Sequence, residues 1–205
     1  MFTGLVRFRS ALHERASQGR AGALRLTLER PAAWTDLRIG DSVAVHGCCL
    51  TVVVLDADTM TFEAGAETLA RTRLAEFAAG DAFHVEQAVR AGDRLDGHVV
   101  TGHVDGLAQL TQRHDVTGGR RLEFRVDASL AAMLPEKGSV CVDGISLTVA
   151  SDRPEGFVVE LIPETLAVTE LERLELGDSV HVEVDPLARY AAHWLKSTQG
   201  AVHDR

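Results

Sequence analysis

Residues 40–52 read GDSVAVHGCCLTV, and residues 137–149 read KGSVCVDGISLTV. At an offset of 97, 7 of these 13 positions are identical. A second pair keeps the same offset: AETLARTRLAEFAAGDAFHVE at 66–86 and PETLAVTELERLELGDSVHVE at 163–183, identical at 11 of 21 positions. The chain start has its own echo at an offset of 98, Thr3-Gly4-x-Val6 matching Thr101-Gly102-x-Val104. A constant offset across separate blocks marks a duplication. Two copies are too few for a solenoid, so each copy must close on itself. The polar, turn-rich segment Asp93–Gly97 is the expected boundary. The division is residues 1–97, residues 98–185, and a tail over 186–205.

Within a copy the pattern is mostly strand. Ser42–Val45 and Leu50–Val54 are short β-branched runs around His46-Gly47. The second copy places Val140–Val142 and Ile145–Val149 around Asp143-Gly144. Asp-Gly is a type I′ hairpin signal, because both central residues need positive φ. Further strands are expected at Leu24–Leu28, Thr61–Glu63, Phe83–Gln87, Leu122–Val126, Phe157–Leu161 and Val180–Val184. Many short strands with turns between them indicate a small barrel or sandwich, and a closed barrel leaves no exposed edge. Short helices are expected at Pro31–Asp36, Leu69–Phe77, Ser129–Leu134 and Glu170–Leu174. A terminal helix should start at Pro186, with apolar residues at helical spacing through Leu195. Its apolar face needs a partner.

Composition removes several function classes. Hydrophobic residues are 45% and charged residues 25%, which excludes a disordered chain. Lys+Arg is 21 against 30 Asp+Glu, a net charge of −9, which argues against a nucleic-acid partner. The longest strongly apolar run, Leu50–Leu55, falls far short of the roughly 20 residues of a spanning helix. No basic leader precedes an apolar run at the start, so no secretory signal is expected. Cys48, Cys49 and Cys141 are odd in number and form no C-x-x-C pair, so neither a disulfide framework nor a zinc site is indicated. A reducing, cytoplasmic home follows.

The copies differ at chemically pointed places. Cys49 corresponds to Ser146, Cys48 to Ile145, His46 to Asp143 and Leu5 to His103. A shared scaffold with unlike reactive groups suits a reaction between two like molecules in different roles. Simpler readings compete at several positions. Cys141 reads as a small buried apolar residue. Thr68 and Thr165 read as helix caps, and His84 and His181 as a repeated packing pair. His98 and His103 fall on opposite faces if they share a strand, which disfavours a common metal.

The start Met1-Phe2-Thr3-Gly4-Leu5-Val6, the block Gly47–Val52, the run Asp96–Gly106, the block Val142–Val149 and the stretch Leu161–Leu166 together resemble the alpha-subunit type of the riboflavin synthase family. The resemblance covers nearly the whole chain, in order and in spacing. It implies an all-β fold: two tandem six-stranded antiparallel Greek-key barrels, each lumazine-binding, with a C-terminal helix. It implies a homotrimer whose active site forms between the N-terminal barrel of one subunit and the C-terminal barrel of its neighbour. The implied reaction is the dismutation of two 6,7-dimethyl-8-ribityllumazine molecules into riboflavin and a ribitylamino-pyrimidinedione, by transfer of a four-carbon unit. No cofactor or metal is implied, and lumazine synthase is an expected associate.

The resemblance also carries ligand-contacting positions onto this chain. In the first barrel they are Gly4, Leu5, Val6, Ser42, Cys48, Cys49 and Leu50, with Phe62, Glu63, Ala64, Gly65, Ala66, Glu67 and Thr68. In the second they are Thr101, Gly102, His103, Lys137, Ser146, Leu147 and Thr148, with Glu160, Leu161, Ile162, Pro163, Glu164 and Thr165. Phe2, Thr3 and Asp185 also fall at positions the family uses. His103 is the expected proton-transfer group, since its reference pKa suits neutral pH. Cys49 as thiolate would add to, or polarise, the acceptor. Ser146 and Thr148 would orient the donor and bond its developing anion. Lys137 would offer charge to ring carbonyls. Two departures stand out: His46 replaces the family's usual Asn before Gly, and Arg73 a usual Asn. The competing expectation is a non-catalytic, antenna-type lumazine- or flavin-binding protein.

Overall fold

In the hairpin 42–55 alternate side chains face inward, and Ala44, on the outward side, is buried in a separate cluster. Val43, Val45, Cys48, Leu50 and Val52 are buried, while Cys49 is half-buried and Thr51 exposed. Period-two alternation of this kind closes a sheet around an apolar core. The turn residues have φ of 50° (His46) and 82° (Gly47), and 47° (Asp143) and 88° (Gly144) in the second copy. These are the positive values that a type I′ turn needs.

The computed structural model describes residues 1–17 and 22–200. The first barrel has β1 (Phe8–Ala16), β2 (Leu24–Glu29), β3 (Ser42–Val45), β4 (Cys48–Leu55), β5 (Thr59–Ala64) and β6 (Ala82–Gln87). They close in the order β1-β2-β5-β4-β3-β6, all antiparallel. The second barrel has β7 (Gly106–Val116), β8 (Gly119–Arg125), β9 (Ser139–Val142), β10 (Ile145–Arg153), β11 (Gly156–Leu161) and β12 (Ser179–Val184). Its order, β10-β11-β8-β7-β12-β9, is the same ring entered at another strand. Register shifts recur at matching places, Leu12/Glu14 with Leu110/Gln112 and Val52/Val54 with Val149/Ser151. Such irregularities add the bend that a six-strand closure requires.

Each barrel has its own core, one around Leu26, Met60, Phe62 and Phe83, the other around Leu110, Phe124, Phe157 and Val180. A third, small cluster of Phe2, Ala44, Val100 and Cys141 lies outside both cores. Phe2 and Val100 exchange backbone hydrogen bonds there, so the chain start pairs with the segment that joins the barrels.

Helices are short: α1 (Ala66–Arg71), α2 (Ala128–Ala131) and α3 (Pro163–Val168), followed by a 3₁₀ turn at Glu170–Arg173. The expected helix at Pro31–Asp36 is a pair of turns, because Trp34 must tuck into the first core. The helix expected at Leu69–Phe77 begins and ends earlier, as α1. Thr68 and Thr165 lie inside α1 and α3 and cap neither; Gly65 and Ile162 take those positions. The Thr68 and Thr165 carbonyls instead accept the hydroxyls of Thr72 and Thr169, each at 2.7 Å. The terminal helix α4 (Pro186–Gly200) forms as expected, with Leu187, Tyr190, Trp194 and Leu195 exposed. No described helix is long and apolar enough to cross a membrane.

Candidate active site

The two barrels meet at their hairpin turns. A Cβ on Gly47 would lie 2.6 Å from the Gly144 nitrogen, so the backbones touch where only glycine fits. His46 presents Nε2 to Asp143 Oδ2 at 3.3 Å, and its Nδ1 accepts the His84 N–H at 3.4 Å. Asp143 Oδ1 accepts the His181 N–H at 2.7 Å. His84 and His181 then cross the interface in mirrored fashion. His84 Nδ1 bonds the Asp143 carbonyl at 3.0 Å, and its Nε2 accepts the Glu170 N–H at 2.8 Å. His181 Nδ1 bonds the His46 carbonyl at 2.8 Å, and its Nε2 accepts the Arg73 N–H at 2.8 Å. An imidazole that donates from one nitrogen and accepts at the other must be neutral. Burial, aided by the neighbouring His46, lowers the His84 pKa to about 3. Burial also lowers His181 to about 4, against the pull of Asp143. These histidines therefore join the barrels, a stronger role than packing.

The outward slots of β4 and β10 carry Cys49 and Ser146, and each is backed by a glycine from an irregular arm. The Ser146 N–H donates to the Gly4 carbonyl at 2.8 Å, and the Cys49 N–H to the Gly102 carbonyl at 2.8 Å. Gly4 and Gly102 have φ of 72° and 77°, and a Cβ on either would lie 2.6 Å from the facing Cβ. The arms are exchanged relative to the sequence-based grouping. Gly4-Leu5-Val6 belongs with the second barrel, whose core Val6 contacts, while Thr101-Gly102-His103 belongs with the first, whose core includes Val104. The offset places equivalent residues correctly in each copy. It does not reveal that each arm reaches across to the other barrel.

Cys49 meets Gly102, with His103 next in the chain, and shares the outward side of β4 with exposed Thr51; Glu63 lies on the paired strand β5, which runs through Gly65 into α1 with Ala66 and Glu67. Ser146 meets Gly4, with Leu5 next in the chain, and shares the outward side of β10 with exposed Thr148; Glu160 lies on the paired strand β11, which runs through Ile162 into α3 with Pro163 and Glu164. Phe62, Ala64, Cys48, Leu50 and Leu161 are buried at 5% exposure or less, with side chains in the barrel cores. Contact between these positions and a ligand on the outer face would therefore run through their backbones. Leu147 also packs against the second core. Burial, then the charges of Cys49 and Glu183, push the Cys48 thiol up to about 12, so Cys49 is the accessible sulfur. Lys137 is exposed at φ 66° beyond the start of β9. Ser42 rims a groove of about 660 Å³ with Thr3, Leu5, Trp34, Glu86 and Arg90. That groove borders the arms but is not lined by Cys49 or Ser146.

His98 was not among the expected site residues, yet its Nδ1 lies 2.7 Å from Ser146 Oγ. It occupies an irregular segment rather than a strand shared with His103, so the opposite-face argument does not apply. Burial holds its pKa below the ordinary histidine value, partly offset by Asp185. Its Nε2 is buried with no hydrogen-bond partner among the described residues. The repeat does not point to this residue, because the echo of the chain start runs from Thr3 matched with Thr101 and His98 lies ahead of it.

This geometry is a doubled six-stranded barrel whose two equivalent outward slots differ in chemistry. The lumazine binding domain family matches the chain twice, at residues 3–88 and 101–185. A riboflavin synthase from Mycobacterium tuberculosis (strain ATCC 25618 / H37Rv) is 39% identical over 201 residues, covering 96% of this chain and 99% of the relative. Riboflavin synthases from Photobacterium phosphoreum and Bacillus subtilis (strain 168) are 36% and 33% identical, each covering 95% of this chain and 89% and 90% of the relatives. The chain belongs to the riboflavin synthase family. Crystal structures of LumP complexed with riboflavin and with 6,7-dimethyl-8-(1'-D-ribityl) lumazine share its fold, with TM-scores of 0.80 and 0.78. Their identities are 20% and 19%, over 90% of this chain and 99% of each of theirs.

Proposed function

We propose that this chain converts two molecules of 6,7-dimethyl-8-ribityllumazine into riboflavin and 5-amino-6-(ribitylamino)pyrimidinedione, one lumazine giving a four-carbon unit to the other. The observation that carries this is the pair of equivalent outward slots, alike in backbone support and unlike in chemistry. One holds the half-buried Cys49 thiol against Gly102. The other holds the Ser146 hydroxyl against Gly4, bonded to His98.

The lumazine C7-methyl is acidic because its carbanion delocalises into the ring, so the reaction starts with proton removal. Burial holds the His98 pKa below the ordinary histidine value, and its Nδ1 shares a 2.7 Å hydrogen bond with the Ser146 hydroxyl. This pair provides a base at the second slot, with exposed Thr148 as a further donor. At the first slot Cys49 adds to, or polarises, the acceptor ring, and His103 beside Gly102 moves protons. Holding two rings with their reactive carbons aligned supplies much of the rate, up to about 7–11 kcal/mol in favourable cases.

In this reading the rings stack between the first barrel of one protomer and the second barrel of another, in a homotrimer built on the exposed face of α4. Lumazine synthase is the expected associate, and the unpaired cysteines fit a cytoplasmic home. The test is to incubate the purified protein with the lumazine alone and follow riboflavin absorbance. Growth of the riboflavin band supports the reading. A bound but unchanged lumazine spectrum contradicts it and favours an antenna-type binder.

A further inference from the structure

Two carboxylates, Glu86 on β6 and Glu183 on β12, have no part in the chemistry above. They end the two copies of His-Val-Glu, at 84–86 and 181–183. Glu183 is only 2% exposed. A carboxylate so placed must be compensated by hydrogen bonds, and both are. Glu86 accepts the Thr3 N–H at 2.7 Å, the Thr3 hydroxyl at 2.7 Å and the Gly4 N–H at 3.0 Å. Glu183 accepts the Thr101 N–H at 2.8 Å, the Thr101 hydroxyl, and the Gly102 N–H at 2.8 Å. Each carboxylate thus fixes both peptide planes of one Thr-Gly arm through charge-assisted bonds.

The arms so fixed are those whose glycine carbonyls hold Ser146 and Cys49. The linkage is therefore crossed. Glu86 of the first barrel sets Gly4, which meets Ser146 of the second. Glu183 of the second barrel sets Gly102, which meets Cys49 of the first. The contact is tight enough to transmit a shift, since a Cβ on either glycine would stand 2.6 Å from its neighbour. Gly97, beside His98, is similarly confined between the Thr3 carbonyl and Ser146.

We propose that Glu86 and Glu183 are positioning residues, each aligning the reactive slot of the opposite barrel: Glu86 the Ser146 slot, Glu183 the Cys49–His103 slot. The catalytic consequence rests on the function proposed above; the crossed coupling does not. A general stabilising role would loosen both slots together, whereas the proposal requires each substitution to loosen one.

Thiol labelling reads this directly. Cys48 and Cys141 are buried with thiols pushed up by burial, so a chromogenic disulfide reagent reports Cys49 in the folded protein. E183Q replaces one acceptor oxygen with an amide N–H that faces a backbone N–H of Thr101 or Gly102. Losing a charged hydrogen bond of this type should raise the Cys49 labelling rate about tenfold. E86Q should leave that rate within about twofold. In a C49S/S146C background the pattern must reverse, with E86Q accelerating labelling of the introduced thiol and E183Q not. Both substitutions should lower kcat for lumazine more than they change KM. T101V removes the hydroxyl donor to Glu183, and T3V removes the donor to Glu86 together with the acceptor of the Leu5 N–H at 3.1 Å; both must show the same crossed pattern more weakly, which keeps the test intact if a glutamine variant does not fold. Equal effects on both thiols, or none on either, overturn the proposal. Crossed labelling without lumazine turnover would leave the coupling standing and defeat the function.

Discussion

Neutral histidines at a barrel–barrel interface make the fold sensitive to mild acid. His84 and His181 are each 1% exposed and are held far below the ordinary value of 6.5, near 3 and 4. In the unfolded chain both take up a proton as pH falls below about 6.5. In the folded chain both stay neutral until their lowered values are reached. Stability is therefore full above pH 6.5 and declines as pH falls towards the folded values. At pH 5 the loss is about 2 kcal/mol per histidine, about 4 kcal/mol for the pair. That is a large share of the 5–15 kcal/mol typical of a domain. Asp143, whose carboxyl burial alone would raise, is drawn down to about 2 by His46 and His181, so it adds its own loss only below pH 4. Of the other charges nearby, Arg9 disfavours the His84 cation and Arg73 the His181 cation. Elsewhere, burial lowers His98, which works in the same direction, and raises Glu86, which works against it. Urea unfolding followed by the fluorescence of buried Trp34 should show a midpoint roughly 1–2 M lower at pH 5 than at pH 7, at fixed protein concentration. H84Q removes one titrating ring and should cut that pH dependence by about half. A midpoint that does not move, or an H84Q profile parallel to the parent, would refute the neutral-histidine account.

Further outcomes follow from the slots and the helix. C49S and H103Q should each slow turnover in steady-state kinetics while lumazine still binds by fluorescence titration. H98Q should depress kcat and flatten the acid limb of the kcat profile, since it removes the ring bonded to Ser146. G4A must adopt φ near 72° and meet Ser146, so thermal unfolding should show a loss of at least ~1–2 kcal/mol together with loss of activity. L187E with W194E removes exposed apolar residues from one helix and should shift the protein to a smaller species in light scattering, with both barrels still folded.

The barrels were legible wherever alternation was strong. β3 and β4 with their His46-Gly47 turn, and the Asp143-Gly144 hairpin, follow from β-branched runs around positive-φ turns. β1 and β7 were not legible. Each has only two fully buried positions, Ser10 and Leu12 in one and Ala108 and Leu110 in the other, and then runs on with mainly polar residues. Ring closure holds those strands in place, and no local pattern records it. At the site, the repeat offset paired Cys49 with Ser146 and so exposed the chemical asymmetry. It could not show the crossing of the arms, because equivalence under a repeat says nothing about which barrel an irregular segment touches. His98 was missed because it lies ahead of the echo that matches Thr3 with Thr101. Glu86 and Glu183 did carry a signal, the doubled His-Val-Glu, but an isolated strand carboxylate reads as solvated until its three donors are seen.

Mass balance tests the two-molecule account most directly. With lumazine as sole organic reactant, chromatographic quantification should find two molecules consumed for every riboflavin formed, with one pyrimidinedione released beside it. Riboflavin appearing at one per lumazine, or lumazine persisting unreacted in the presence of folded protein, would contradict it.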